Sequence, residues 1–281
     1  MPKFETPEPI VASIDMTAGS LWVRATDRTE TVVDVRPHNP QKKDDVQAAE
    51  QTEVDYADGR LVVRTPRNRL RHTFGGGGPR VDAIVDLPAG SELDGSGWTD
   101  YTCDGRLGPV TITGALGDIR IEHAERLRAK SSMGDIIIGR VDGPIDLHTA
   151  TGEIRIGTAE GTTVAKTSAG NLAIGDAAGD LRLRTAYGDI AVEHAATSVD
   201  ATTSAGNIRI DEVGGGSVAL RTSYGEVEVG VPADVAAWLD MTSLNGNVRS
   251  ELDAADTPAD TDRKVEIRVR NHYGDITVRR A

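Results

Sequence analysis

Aliphatic residues along this chain recur in pairs two positions apart, separated by polar residues, and the pairs return about every nine residues. Alternation with a period of two places the pair on one face of a short strand and the residue between them on the other. Spacing at i and i+2, with no partners at i+3 or i+4, excludes an amphipathic helix. Every second pair follows one motif: glycine, then Asp, Glu or Asn, then aliphatic-x-aliphatic. It occurs at Gly117, Gly134, Gly152, Gly170, Gly188, Gly206, Gly225 and Gly274, and as far as its first aliphatic residue at Gly246, so that the nine glycines are spaced by 17, 18, 18, 18, 18, 19, 21 and 28 residues.

Alignment on that glycine exposes a second strand upstream. Seven residues before it stand Val110, Leu127, Ile145, Thr163, Leu181, Val199, Val218, Leu239 and Ile267. Five before it stand Ile112, Ala129, Leu147, Ala165, Leu183, Ala201, Leu220, Met241 and Val269. Both columns are expected to point inward. The pattern predicts an all-β chain built as a parallel β-solenoid, with about 18 residues and two main strands per coil from about residue 108 onward. Two sheets would then face each other across one narrow core. A three-sided helix of hexapeptides would show an aliphatic residue every six positions, and none is found. One coil alone cannot hide its apolar side, so stability must come from stacked neighbours. The wider spacings of the last coils read as insertions.

The corners agree with this reading. Three residues before the glycine lies Ser131, Thr149, Thr167, Thr185, Thr203, Thr222 or Ser243, whose hydroxyl can satisfy backbone groups of the turn. The glycine supplies a positive φ or a close approach of two backbones. A second set of turns contains Gly157 to Gly161, Gly175 to Gly179 and Glu212 to Gly215.

The first third breaks the period. Val11 to Met16, Leu21 to Ala25 and Thr31 to Val35 alternate as strands, with Thr17 to Ser20 as a turn between the first two. Asn39-Pro40 opens a short polar helix through about Gln51. Strands resume at Thr52 to Tyr56, Gly59 to Arg64 and Val81 to Leu87, before Pro88-Ala89-Gly90. Open solenoid ends invite edge association unless they are covered. Residues 1–90 are therefore expected to form a β-rich cap with one short helix, and residues 91–281 the solenoid repeat region.

Composition narrows the function. The 281 residues are 38% hydrophobic but only 4% aromatic, with 31 glycines, which suits thin stacked layers. A net charge of -13 disfavours nucleic acid, whose phosphates require a concentrated positive surface. The start lacks a basic segment followed by an apolar one, and no apolar run is long enough to span a bilayer, so no membrane insertion is expected. A lone cysteine, Cys103, excludes an intramolecular disulfide. These features together predict a cytoplasmic protein.

The column Asp118, Asp135, Glu153, Asp189 and Glu226 resembles a cation ladder, but Asn171, Asn207 and Asn247 interrupt it and the calcium-roll signature is missing. Turn chemistry is the expectation. Outward residues of the upstream strand include Arg128, Lys130, Lys166, Arg182, Arg184, Arg221, Arg268 and Arg270, interleaved with Asp146, Asp200 and Asp240, as on a self-paired face. Gly75 to Gly78, after His72-Thr73-Phe74, lacks the Gly-Lys-Ser/Thr ending of a phosphate loop and reads as a hairpin tip. The six histidines show no metal-ligand spacing, and Cys103 has no partner motif. The expectation is no catalytic residue, no metal and no cofactor. One ridge stands out. The residue just before the motif glycine is Leu116, Met133, Tyr187, Tyr224 or Tyr273 in five coils, placing large apolar groups along one corner.

The coils TSAGNLAI, RTAYGDIAV and RTSYGEVEV, with the ending NHYGDITVRR, resemble the bacterial putative-adhesin β-strand-repeat domains, a family of unknown function. The start MPKFETPEPI, the segment YADGRLVV and the tract TFGGGG resemble its unexported actinobacterial branch. The resemblance implies a solenoid without active-site residues. The function expected is a non-enzymatic scaffold or protein-interaction module with an unknown protein partner. The alternative is an adhesin-like or glycan-binding surface protein.

Overall fold

The computed structural model describes residues 1–66, 78–252 and 263–281. The glycine tract and His72 to Phe74 fall almost wholly outside the described residues. Among the described residues the chain is nearly all-β, with one helix, and it forms a parallel β-solenoid. It divides into two compact units, Met1–Arg140 and Val141–Ala281.

In the second unit each coil has a leading strand before the corner glycine and a trailing strand after it. Leading strands Ile145–His148, Thr163–Lys166, Leu181–Arg184, Val199–Thr202 and Gly216–Tyr224 stack in parallel register. Trailing strands Ile154–Ala159, Leu172–Ala177, Ile190–Ala195, Ile208–Val213 and Val227–Val231 do the same. Inward residues of successive coils lie in register, as in Leu181↔Val199 and Ile190↔Ile208. All four are buried, so each coil seals the apolar face of its neighbour.

The end of this unit departs from sequence order. The last coil, with leading strand Arg263–Tyr273 and trailing strand Ile276–Arg280, pairs directly with Gly216–Tyr224 and Val227–Val231. The coil that precedes it in sequence, Val235–Asn245 with Val248–Ser250, pairs with the other side of that last coil. The chain thus lays down an outer coil and returns to fill the space beneath it. The long final glycine spacing thus separates two coils that stack out of sequence order. The physical reason lies in the inward residues. Ile267, Val269, Ile276 and Val278 are all aliphatic and fully buried, whereas the outer coil offers Leu239, Met241, Val248 and Ser250 and leaves them partly or wholly exposed. Burying one aliphatic side chain contributes roughly 1.5–3 kcal/mol, so the better apolar coil belongs inside.

In the first unit, parallel pairing begins well before the glycine motif. Val11–Thr26 is one strand and not two strands joined by a turn: it passes its corner through a bulge between Asp15 and Ala18, with Gly19 at φ 133°. It runs parallel to Glu92–Ala115, which runs parallel to Ile119–Ser131. On its other side it pairs in parallel with Arg60–Arg64 and Val81–Pro88. Antiparallel strands cover those edges, Glu53–Ala57 on Arg60–Arg64 and Glu30–Pro37 on Val81–Pro88, with Lys3–Glu5 beyond. Such reversal ends the parallel template. The helix, Lys43–Glu50, is held by Asp45. Burial disfavours that carboxylate, yet the Arg80 and Asn39 amides at 3.0 and 3.2 Å and the Lys42 ammonium outweigh it and keep its pKa below the ordinary value.

The corners of the second unit explain the glycine. Gly152, Gly170, Gly188, Gly206, Gly225 and Gly274 all have φ between 127° and 153°. A Cβ on any of the last five would collide with the carbonyl oxygen of the glycine one coil below. The same carbonyl accepts a hydroxyl from the column three residues before the glycine. Thr185 Oγ1 donates to Gly170 O at 3.1 Å, Thr203 to Gly188 O at 3.0 Å and Thr222 to Gly206 O at 3.0 Å. In the inserted coil Asn271 takes the role, its Nδ2 donating to Gly225 O at 2.8 Å and to Gly274 O at 2.9 Å. Thr203→Val keeps the shape and removes one buried donor. Urea unfolding should show it about 1–2 kcal/mol less stable, and an unchanged midpoint would refute the role of this ladder.

Candidate functional site

The residue before each glycine continues the backbone ladder. Thr151, Ala169, Tyr187, Ala205 and Tyr224 are bridged in sequence, and Tyr224 lies in register with Tyr273, which lies in register with Asn245. Because the following glycine is turned into a positive φ, the side chain just before it stands out at the corner. Tyr187, Tyr224 and Tyr273 are 69%, 60% and 49% exposed. Tyr224 and Tyr273 stack with ring centroids 5.0 Å apart and planes at 1°. They are 49 positions apart in sequence (273 − 224) and meet only because the last coil is inserted. The other two tyrosines behave differently: Tyr101 is buried and Tyr56 packs against Phe4 at 5.3 Å. In the first unit the same motif position carries Leu116 and Met133, both exposed.

The acidic column is a hydrogen-bond ladder. Asn171 Oδ1 accepts from Asp189 N at 2.9 Å, Asp189 Oδ1 from Asn207 N at 2.7 Å and Asn207 Oδ1 from Glu226 N at 2.8 Å. Asp, Asn and a backbone amide suffice for this, which explains why the column mixes them. At Asp118 and Asp275 such a bond holds the carboxyl pKa down. The Asp135 amide does this for Asp118, aided by Arg120, and the Asn247 amide for Asp275. Among the described residues no group of three His, Cys, Asp or Glu is placed to hold a metal.

Four arginines of the basic face are paired within it. Asp200 receives Arg184 at 3.4 Å, Arg221 at 3.5 Å and Arg182 at 4.0 Å, and Asp240 receives Arg270 at 2.6 Å. Arg270 keeps the Asp240 carboxyl below its usual range. Cys103 is buried, and burial pushes its thiol up to about 12, so it is not a thiolate at neutral pH. No helix among the described residues is long and apolar enough to cross a membrane.

All three tryptophans are exposed, a feature absent from the sequence-based expectations. Trp22 donates its Nε1–H to Asp104 at 2.6 Å and carries the Arg24 guanidinium 5.8 Å over its ring. Trp238 carries Arg268 at the same distance. Strand alternation contains the signal, because Leu21 and Val23 point inward, and Ala237 and Leu239 lie in register with the buried Val265 and Ile267. The residue between each pair must face out.

The chain has no match among curated proteins. Among solved structures, a putative adhesin from Bacteroides fragilis is 12% identical over 99% of this chain and 95% of that one, with a TM-score of 0.43. A second, from Parabacteroides merdae, is 13% identical over 82% and 94%, also at 0.43. A third, from Parabacteroides distasonis, is 10% identical over 98% and 95%, at 0.35. A family model covers residues 13–279, almost every coil and capping strand described above, and by that match the chain belongs to the Toastrack DUF4097 family.

Proposed function

We propose that the chain is a non-enzymatic scaffold in the cytoplasm that presents the tyrosine corner of its second unit to a protein partner. The observation that carries this reading is the placement of three exposed tyrosines on one ladder of a rigid backbone, in a chain with only five tyrosines. Tyrosine offers large contact area at small entropic cost and is enriched where proteins meet. A stiff solenoid holds such groups at fixed spacing, which reduces the ordering cost of binding. Leu116 and Met133 extend the same motif position into the first unit as candidate contacts.

The test is capture from the native host by chemical cross-linking, with wild type beside a variant carrying Tyr187, Tyr224 and Tyr273 changed to Ser. The wild type should retain a protein that the variant retains at least tenfold less. The variant should lose no more than about 1 kcal/mol of stability, the worth of one stacked pair. Equal retention by both would overturn the corner as the binding face. Retention of sugar polymers in place of protein, with the protein found at the cell surface, would favour the adhesin-like reading.

A further inference from the structure

In space the corner ladder of the second unit runs Thr151, Ala169, Tyr187, Ala205, Tyr224, Tyr273, Asn245. Adjacent parallel strands lie ~4.8 Å apart. The neighbouring pair Tyr224 and Tyr273 follows that rise, with centroids 5.0 Å apart and planes at 1°. Where neighbouring coils both carry a ring, the two rings stand as parallel plates. Tyr187 and Tyr224 are two coils apart, roughly 9.6 Å at that rise, and Ala205 between them supplies only a methyl group. One plate is missing between Tyr187 and Tyr224.

Resting on the reading of this corner as a binding face, we propose that the slot takes the guanidinium of an arginine from a protein partner, stacked between Tyr187 and Tyr224 above Ala205. Flatness restricts the occupant to an aromatic ring, a proline or a guanidinium, and charge chooses among them. Asp189 and Glu226 stand two residues beyond Tyr187 and Tyr224, both exposed, with neutral Asn207 between them. Glu226 has no ion-pair partner among the described residues, and Asp189 uses one oxygen on the Asn207 amide. On the other flank Arg184 and Arg221 are both engaged by Asp200. The slot thus offers two π faces and unneutralised carboxylates, which is what a guanidinium prefers. A lysine brings the charge without the plate.

The experiment is an NMR titration of tyrosine ring and alanine methyl signals with the peptide acetyl-Gly-Arg-Gly-amide and its citrulline and lysine counterparts. The arginine peptide should shift Tyr187, Tyr224 and Ala205 and bind about tenfold more tightly than either counterpart. Ala205→Tyr completes the ladder and should abolish those shifts at an unchanged melting temperature. Glu226→Gln, which leaves every ring in place, should weaken the arginine peptide several-fold. Equal affinity for citrulline, absence of shifts at these three residues, or binding retained by Ala205→Tyr would each overturn the proposal. The same variants separate it from the broader reading. A cross-linked partner lost with the three Tyr→Ser changes but kept by Ala205→Tyr leaves the corner standing and refutes the slot. A partner kept by both refutes the corner itself.

Discussion

Gly188→Ala should lower the stability of the second unit by about 4 kcal/mol, among the largest effects of any single methyl added to this chain. Gly188 sits at φ 145°, a conformation that L side chains rarely adopt. Its Cβ would lie 2.6 Å from the Gly170 carbonyl carbon and nearer still to the oxygen, and both are backbone atoms held by parallel pairing on either side. No rotamer can relieve a backbone collision. The displaced carbonyl also accepts the Thr185 hydroxyl, so separating the coils breaks a buried hydrogen bond as well. In a stacked repeat, stability is carried by nearest-neighbour interfaces, and a wedge between two coils weakens everything that depends on that contact. Gly114 is the control. It has φ 75°, but nothing lies within 4 Å of an added Cβ, so Gly114→Ala should cost only the left-handed penalty of about 1 kcal/mol. Urea unfolding of the two variants decides the matter. Equal losses would mean that the close approach of the corner glycines contributes nothing.

That glycine column shows what a sequence of this kind discloses. A period near 18, an alternation of two and a glycine at each corner are local features, and they lead directly to coils, inward columns and outward tyrosines. Leu183, Ile190, Val199 and Ile208 are buried as their spacing requires. Stacking order is another matter. The face that Val218 and Leu220 present accepts Ile267 and Val269 in register as readily as it would accept Leu239 and Met241, because all coils share one cross-section. Periodicity therefore cannot say which coil is outermost. The available signal was chemical: Ser250 stands where every other trailing strand has a second aliphatic residue. The parallel pairing of Val11–Thr26 was hidden for a related reason. Its neighbours on one side come from two separate segments, and it lacks the glycine motif. At the corner, the outward position of each tyrosine could be read from its place before the glycine, whereas the contact between Tyr224 and Tyr273 depends on the order of coils.

The inserted order makes a prediction of its own, because it reverses the expected cost of two equivalent substitutions. Ile276 and Val248 occupy the same position in the motif, two residues after the corner glycine. Ile276 lies between Val227 and Val248 and is fully buried, while Val248 is at the outer face and 42% exposed. Ile276→Ala should cost about 3 kcal/mol, in the range for a large-to-small change in a packed core. Val248→Ala removes carbon atoms already in contact with water and should cost less than about 1 kcal/mol. Had the coils stacked in sequence order, Val248 would lie between Val227 and Ile276, and the penalties would exchange. Chemical denaturation of the two single variants therefore reads the topology directly. A larger loss for Val248→Ala would place the last coil at the end of the stack. It would also separate Tyr224 from Tyr273 by the coil of Asn245, removing the stacked pair on which the tyrosine corner is built.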